Sequence, residues 1–221
     1  MSIKYHIGPF GKGIPAPIND LALLHSKLLP TSPVAKLGYR FMTKFYYNEL
    51  PKGGYIFGAI AYVDKLPVGF ISATSDSNGF MQMAIKKLRW KLILTLGINI
   101  LLHPRNIFPI REAWKIMESR KTRNDTQLVG EILSIGVLPD YINFRFIHKT
   151  GLHITNDLFQ AIMAQTQMKD VKLIRALVDI DNPTAQLFYH GRGWKLQRVN
   201  NAGWKTPVVE FVWTRREDEV V

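Results

Sequence analysis

Glu131 is a carboxylate whose position in the sequence suggests chemistry. It lies in QLVGEILSIGV, residues 127–137, an otherwise apolar segment that we predict to be a strand. Strict alternation would put it on one face with Leu133, Ile135 and Val137. A carboxylate there is costly unless it has a partner or faces a cleft. It is therefore either a partly desolvated base with a raised pKa or the partner of one of the chain's many basic residues.

Tyr189 is the second candidate, because the ends of its helix can be read from the sequence. In DIDNPTAQLFYHGRGWKL, Asn182 is a candidate N-cap, Pro183 suits the first helical position and Gly191 can take a left-handed, helix-ending conformation. These residues predict a helix over 183–190. The phenol would donate a proton at neutral pH, since its ordinary pKa is about 10. The alternative is a core tyrosine whose hydroxyl bonds to the backbone.

The elements in the first half of the chain follow from periodicity and turn residues. A Gly/Pro-rich start precedes a short helix capped by Asn19 or Asp20. A second helical segment is capped by Ser32, with Pro33 at its first position. Two strands joined at Asp64-Lys65 come next.

Residues from about 79 to 120 differ in character and predict one or two helices inserted between strands. Their basic residues alternate with apolar ones: Lys86, Lys87, Arg89 and Lys91 with Trp90, Leu92, Ile93 and Leu94. One interpretation is an amphipathic helix packed on the domain with its basic face in water. The other is a substrate lid or a helix at a membrane surface.

The second half alternates strand and helix. Strands are predicted at 127–137 and 171–180, a helix begins near Thr155, and WKLQRV and TPVVEFVWTR supply the last two strands. We therefore expect one mixed α+β domain over residues 1–221, with a helical insert.

Composition narrows the classes of protein. The chain of 221 residues has no cysteine, which excludes a disulfide framework and a cysteine nucleophile. No HExxH or other metal-ligand spacing is present, so we predict no metal site. The G-x-S-x-G motif of a serine nucleophile is absent as well. A net charge of +12 favours a phosphate-bearing partner, although a generic basic surface is the alternative. Without a signal peptide or a run of about 20 apolar residues, we expect a cytoplasmic protein that does not span a membrane.

Two segments resemble the GNAT family of acyl-CoA-dependent N-acetyltransferases. GEILSIGVLPDY is similar to that family's central strand, and the second segment is similar to its N-x-x-A-x-x-F-Y-x-x-x-G-F pattern. The matching residues of the latter are Asn182, Ala185, Phe188, Tyr189 and Gly193, with Trp194 in place of Phe. The resemblance extends from about Leu21 to Thr214. The basic insert also resembles a bacterial subgroup found among polysaccharide-biosynthesis genes.

The resemblance implies a fold and a mechanism. The fold is a mixed, mostly antiparallel sheet, splayed after the fourth strand and flanked by helices. The reaction is direct transfer of an acetyl group from acetyl-CoA to a primary amine in a ternary complex. Glu131 would remove the amine proton, the Val137 N–H would polarise the thioester carbonyl, and Tyr189 would protonate the CoA thiolate.

The resemblance also implies which residues hold CoA. The family's R/Q-x-x-G-x-G/A loop is replaced here by the longer LPDYINFRFIHKTGLHITNDLF, which leads into the helix near Thr155. The N–H groups at that helix N-terminus would bind phosphate. The expected contacts are Ile135, Gly136, Val137, Lys149, Thr150, Gly151, Leu152, His153, Asn182, Ala185 and Phe188.

The acceptor and the partners stay open at this point. His25 and Glu131 are candidates for binding the amine, and the subgroup suggests an amino sugar, free or nucleotide-linked. We expect no nucleic-acid partner; a homodimer and a peripheral membrane contact are both compatible with the sequence. Two other functions remain: a non-catalytic domain of the same fold that binds through its basic surface, or a longer-chain acyltransferase at a membrane.

Overall fold

The structure is a computed structural model that describes residues 3–102, 129–200 and 207–215. A seven-stranded sheet in the order β1-β2-β3-β4-β5-β7-β6 is its centre. Among the described strands, neighbours are antiparallel except β4 and β5, which are parallel. The strands are β1 (Tyr5–Phe10), β2 (Phe57–Val63), β3 (Leu66–Thr74), β4 (Val129–Val137), β5 (Leu173–Asp179), β6 (Lys195–Asn200) and β7 (Val208–Thr214).

Helices cover both faces of the sheet. The described α-helices are α1 (Ile18–Leu28), α2 (Pro33–Lys36), α3 (Tyr39–Phe41), α4 (Glu49–Lys52), α5 (Phe80–Leu102), α6 (Phe144–Thr150), α7 (Ile154–Met168) and α8 (Pro183–His190). One buried cluster joins α1 through α5 to one face, and another joins α7 and α8 to the opposite face. The predicted mixed α+β fold is confirmed.

Several local predictions are confirmed because they depend on bonds between near neighbours. The Ser32 side chain accepts a hydrogen bond from the Ala35 N–H at 3.1 Å, and Pro33 opens α2. Asp64 and Lys65 both have positive φ, 49° and 69°, as a two-residue hairpin turn requires.

The start of α1 differs from the prediction. The helix begins at Ile18 after Pro17, which provides no side-chain cap, and Asn19 and Asp20 lie inside the first turn. The Asp20 carboxylate instead accepts a hydrogen bond from the Tyr62 hydroxyl at 2.7 Å. A tertiary partner on the sheet therefore outweighs the capping preference of this aspartate.

The strand β1 was not predicted, because its sequence contains Gly8 and Pro9. Its position explains how Pro9 is tolerated: β1 is the first strand of the sheet and pairs only with β2 among the described strands. A proline can occupy an edge strand, since the missing N–H need not serve a second neighbour.

The insert begins as predicted with a helix, α5. Its backbone departs from helical geometry at Leu88, with φ of −112° and ψ of 17°. The rest of the predicted insert, from 103 to 120, lies outside the described residues. No described helix has the length and apolar character needed to cross a membrane.

Candidate active site

A bulge in β4 sets the geometry of the site. In the antiparallel pairing with β3, Ser72 is opposite Ser134 while Ala73 is opposite Ile132, so Leu133 is the extra residue. Bulges of this kind bend a strand and increase its twist. The bulge therefore turns the second half of β4 away from the direction of its first half.

The bulge also corrects the predicted alternation along β4. Ile132, Ile135 and Val137 all contribute to the cluster on the α7 side, whereas Leu133 packs on the α1 side. Because neighbouring residues of a strand point to opposite faces, Glu131 points to the α1 side. The prediction that Glu131 shares a face with Ile135 and Val137 is wrong, since the extra residue reverses the alternation.

A gap between β4 and β5 follows the bulge. The two strands are paired only where Val129–Ile132 lies beside Leu173–Ala176. Beyond these residues β4 continues to Val137, while β5 keeps its pairing with β7 as far as Asp179. The sheet is therefore splayed after its fourth strand, as the fold class predicted.

Backbone donors on β4 point into this gap. The Leu138 N–H donates to the carbonyl of Val68 on β3 at 2.8 Å, so it points toward β3. Because N–H directions alternate along a strand, the N–H groups of Ile135 and Val137 point the other way, toward β5. These two N–H groups can therefore donate hydrogen bonds to an extended ligand in the gap or to a carbonyl that becomes polarised there.

Glu131 lies in the paired part of β4 and is bound to Arg175 of β5. Both Nε and Nη2 of Arg175 lie 2.9 Å from the same oxygen, Oε2. Arg175 also donates to Asn78 at 3.4 Å, and its Nη1 is 4.0 Å from Glu210. Both Glu131 and Arg175 are 2% exposed. Of the two interpretations of Glu131, the ion pair is present in the structure, and the role of base stays a prediction.

The spacing along β4 separates Glu131 from the gap donors. At about 3.3 Å per residue, the backbone of Ile135 is about 13 Å from that of Glu131, and Val137 is about 20 Å away. Ile135 is therefore the donor closer to the carboxylate. A proton would have to pass from a group held near Ile135 to Glu131 through water.

Tyr189 is buried on the α7 side. It is 3% exposed, and its ring contacts those of Phe159, Phe188, Trp194 and Phe211. Burial raises the pKa of Tyr189, so its hydroxyl is protonated throughout the neutral range. The burial of Tyr189 among these rings fits a core tyrosine, and both that interpretation and the role of proton donor stay predictions.

The ends of α8 were predicted with one error. Its bounds are those expected, and the Asn182 side chain accepts from the Ala185 N–H at 3.0 Å as an N-cap. Gly191, however, has φ of −64°, and the left-handed residue is Gly193 with φ of 76°. The later reversal lets the Trp194 N–H donate to the Tyr189 carbonyl at 3.2 Å.

The segment predicted as a long phosphate loop is largely helical. A 3-10 turn, Pro139–Tyr141, is followed by α6, whose N-cap Asn143 accepts from the Phe146 N–H at 2.9 Å. Gly151, with φ of 70°, ends α6 in a left-handed conformation. Only residues 151–153 then separate α6 from α7, so the segment is a helix with short links and not an extended loop.

The N-terminus of α7 fits an anion. His153 at the N-cap makes no side-chain capping bond, so the first N–H groups of this 15-residue helix lack that partner. Asp157 in the first turn would oppose an anion, but its carboxylate accepts a hydrogen bond from the Tyr5 hydroxyl at 2.8 Å. This contact turns the acidic side chain toward β1.

The predicted CoA contacts differ in exposure. Lys149, Gly151, His153 and Asn182 are exposed; Ile135, Gly136, Thr150, Leu152, Ala185 and Phe188 are half-buried; Val137 is buried. The Thr150 hydroxyl donates to the Phe146 carbonyl at 2.8 Å and accepts from the Leu152 N–H at 3.2 Å. That hydroxyl therefore serves the turn after α6, and its contact with a phosphate stays a prediction.

Arg192 is a residue of interest that the sequence analysis missed. Its guanidinium lies 3.7 Å from the ring centroid of Phe188, and Nη1 donates to the Phe188 carbonyl at 3.1 Å. Nη2 donates to Asn156 in the first turn of α7 at 3.4 Å. Burial lowers the pKa of Arg192 from its ordinary value. The only sequence signal was a cation directly after α8, between two glycines.

His25 is buried in the α1 layer and fully engaged. Its Nδ1 lies 2.6 Å from the Tyr47 hydroxyl and its Nε2 lies 2.7 Å from the Ser32 hydroxyl. Burial lowers the pKa of His25 to about 4, so the ring is neutral at physiological pH. A direct contact with an acceptor would require one of these bonds to break, and that contact stays a prediction.

Ser72 has an unusual environment beside the bulge. It is fully buried, and its hydroxyl has no hydrogen-bond partner among the described residues. It lies opposite Ser134, one pair before the bulge. Buried hydroxyls without partners are uncommon and often mark a bound water or a functional position.

Within residues 3–102, 129–200 and 207–215, no group of three or more metal-binding side chains of the His, Cys, Asp or Glu type occurs.

Sequence comparison finds no family model that matches the chain and no curated protein similar to it. Solved structures are similar in fold. An agmatine N-acetyltransferase variant has a TM-score of 0.56 and 12% identity, over 96% of this chain and 100% of the other. NAA60 of Arabidopsis thaliana, solved with acetyl-CoA, has a TM-score of 0.54 and 15% identity, over 96% and 98%.

A GNAT-family acetyltransferase structure from Desulfovibrio desulfuricans gives a TM-score of 0.54 and 9% identity, over 96% of this chain and 99% of that one. These identities are too low to carry function, but the coverage of both chains is nearly complete. The chain has the fold of the GNAT acetyltransferases.

Proposed function

We propose that this protein is an N-acyltransferase that moves an acetyl group from acetyl-CoA to a primary amine. The observation that carries the proposal is the gap after Ile132, into which the N–H groups of Ile135 and Val137 point. A thioester in this gap would have its carbonyl beside a backbone donor. The similarity to NAA60, a protein solved with acetyl-CoA, supports the choice of donor.

Three features support binding of the CoA moiety. The N–H group of Val137 suits an amide carbonyl of an extended pantetheine chain. The N-terminus of α7 offers donors to the pyrophosphate. Arg192, bonded to Asn156 in that first turn, adds a positive charge beside it.

The reaction balances with the groups present. The amine nitrogen forms a bond to the thioester carbonyl carbon as the carbon–sulfur bond breaks, giving an amide and the CoA thiol. The family resemblance implies that the Val137 N–H polarises the thioester carbonyl. We assign the developing oxyanion instead to the Ile135 N–H, which is closer to Glu131, and Val137 would hold the chain beyond it. The protonated Tyr189 hydroxyl would donate to the departing sulfur.

The amine must lose a proton to a base. Glu131 is the candidate base, and the spacing along β4 requires that it act through water. Its bonds to Arg175 support a structural role more directly. The pair of Ser72 and Ser134 lies between Glu131 and the end of β4 at Val137. The Ser72 hydroxyl, which has no partner among the described residues, would be placed to hold such a water. The single domain, the cytoplasmic location and the amino-sugar acceptor stay part of the proposal.

Calorimetry and thermal-shift titration with acetyl-CoA test the binding step. Val137→Pro removes a donor that points to the gap, and binding by the folded variant should weaken about tenfold, although loss of the buried Val137 side chain will also lower the melting temperature. Leu138→Pro is the matched control, because it removes the donor to Val68 and should lower stability without weakening binding by the folded protein.

Release of CoA thiol with a panel of primary amines then tests the chemistry. Binding without turnover for any amine would favour the non-catalytic alternative. No stabilisation by millimolar acetyl-CoA would contradict the proposed donor site. Tighter binding of a longer acyl-CoA would identify the longer-chain alternative.

A further inference from the structure

The outward face of α5 is unusual for the surface of a protein that needs no partner. Trp90, Ile93 and Leu94 are 72%, 57% and 68% exposed. On the opposite side of the same helix, Ala84 is buried and Leu88 packs against the core. The exposed apolar side chains therefore belong to a helix that is already anchored on the domain.

Positive charges surround these apolar side chains. Lys86, Lys87, Arg89 and Lys91 lie on α5, and no acidic residue occurs between Phe80 and Leu102. The Arg89 guanidinium lies 5.4 Å from the ring centroid of Trp90. Within the described contacts of α5, Glu49 is the acidic group that reaches it, 2.6 Å from Lys91.

We propose that this face of α5 binds the surface of an anionic lipid membrane. A helix lying in the interface buries tryptophan and aliphatic side chains at the acyl boundary, while flanking lysines and arginines contact lipid phosphates. On α5, the side chains at the acyl boundary would be Trp90, Ile93 and Leu94. The phosphate contacts would come from the four basic residues.

Charge and chemistry favour lipid over other occupants of this face. Two copies of a chain with net charge +12 would bring like charges together here. Nucleic acid would satisfy the cations but would leave Ile93 and Leu94 in water. An anionic bilayer satisfies both kinds of side chain. The inference does not depend on the proposed catalytic function.

Vesicle co-sedimentation tests the proposal with the whole protein. We expect binding to phosphatidylcholine vesicles that contain phosphatidylserine, and much less to phosphatidylcholine alone. High salt should weaken binding, because the lipid charges become screened. The charge reversal Lys86→Glu with Lys87→Glu should reduce the partition coefficient by at least about 25-fold, about fivefold for each lost cation.

Apolar contacts are tested separately. Trp90→Ser with Leu94→Ser should also abolish sedimentation, whereas Met168→Ser, at a residue 86% exposed on α7, should not. Lys172→Glu with Lys195→Glu matches the charge reversal at exposed residues away from α5 and should have a much smaller effect. Trp90→Phe should remove the lipid-induced blue shift of tryptophan fluorescence while binding persists.

Three results would overturn the proposal. Sedimentation that survives loss of Trp90 and Leu94 but not of the lysines would mean a purely electrostatic contact, as with nucleic acid. Equal sedimentation with neutral vesicles would remove the role of the cations. A dimer in solution that Trp90→Ser with Leu94→Ser converts to a monomer would identify the occupant as a second copy.

Discussion

Arg175 lies directly opposite Glu131 in the parallel pairing of β4 with β5, and both its Nε and Nη2 are 2.9 Å from one carboxylate oxygen. The pair joins the two strands immediately before they separate. The guanidinium also faces Glu210 on β7. This buried contact therefore holds the closed end of the gap in which we place the thioester.

Removal of Arg175 should be strongly destabilising. Arg175→Met leaves two buried carboxylates without this cation, and we expect the free energy of unfolding to fall by about 3–5 kcal/mol in urea titration. Lys91→Met is the control, because Lys91 is 60% exposed in its contact with Glu49 and should cost less than about 1 kcal/mol. Equal effects of the two changes would contradict a structural role for Arg175.

Glu131→Gln separates the two roles of the carboxylate. If Glu131 is the base, kcat should fall by about 100-fold or more. If its role is only the ion pair, stability should fall while kcat of the folded enzyme changes little. Both are measured at a temperature where the variant is fully folded.

Tyr189→Phe should lower kcat without unfolding the protein. Phenylalanine keeps the ring contacts of Tyr189, so loss of the hydroxyl should change the melting temperature little, whereas turnover should fall about 10- to 100-fold. Tyr62→Phe is the control, since it loses a bond between β2 and Asp20, β3 separates β2 from β4, and kcat should be kept. Because burial raises the pKa of Tyr189, the wild-type enzyme should show no alkaline loss of activity from this group below about pH 10.

His25 should make the fold sensitive to acid. Burial lowers its pKa from 6.5 to about 4, so the unfolded chain binds a proton at a higher pH than the folded protein. The contribution of neutral His25 to the free energy of unfolding is therefore complete above pH 6.5 and is lost as the pH falls toward 4. This contribution is on the order of 3 kcal/mol. The unfolding free energies of wild type and His25→Gln should converge by about this amount between neutral pH and the acidic end of that window.

The two variants should therefore be compared by urea titration at several pH values. A difference between wild type and His25→Gln that stays constant with pH would contradict a buried neutral imidazole.

Ser72→Ala should stabilise the protein or leave its stability unchanged. It removes a buried hydroxyl that has no partner among the described residues. Its removal should raise the free energy of unfolding by up to about 1 kcal/mol. Ser32→Ala should do the opposite, because it removes the cap of α2 and a partner of His25. A marked loss of stability in Ser72→Ala would mean that the hydroxyl is bonded. Normal turnover of Ser72→Ala would exclude a role for the Ser72 hydroxyl in holding the water between the amine and Glu131.

The sequence by itself determined features that depend on near neighbours. The bounds of α8, the caps at Ser32 and Asn182 and the turn at Asp64-Lys65 were predicted correctly, since each depends on bonds or backbone angles within a few residues. The order of strands and helices was otherwise recovered, except for β1, α6 and the single helical segment predicted after Ser32, which is divided into α2, α3 and α4.

Only the tertiary structure decided the arrangement around the gap. The bulge at Leu133 depends on the register with β3, and this one extra residue places Glu131 and Val137 on opposite faces, whereas alternation predicted the same face for both. The partner of Glu131 is 44 residues away along the chain, and Arg192 reaches Asn156 across 36. A sequence shows which residues are capable of such contacts; strand register and helix packing select which of them form, because these contacts join segments that are distant in the chain.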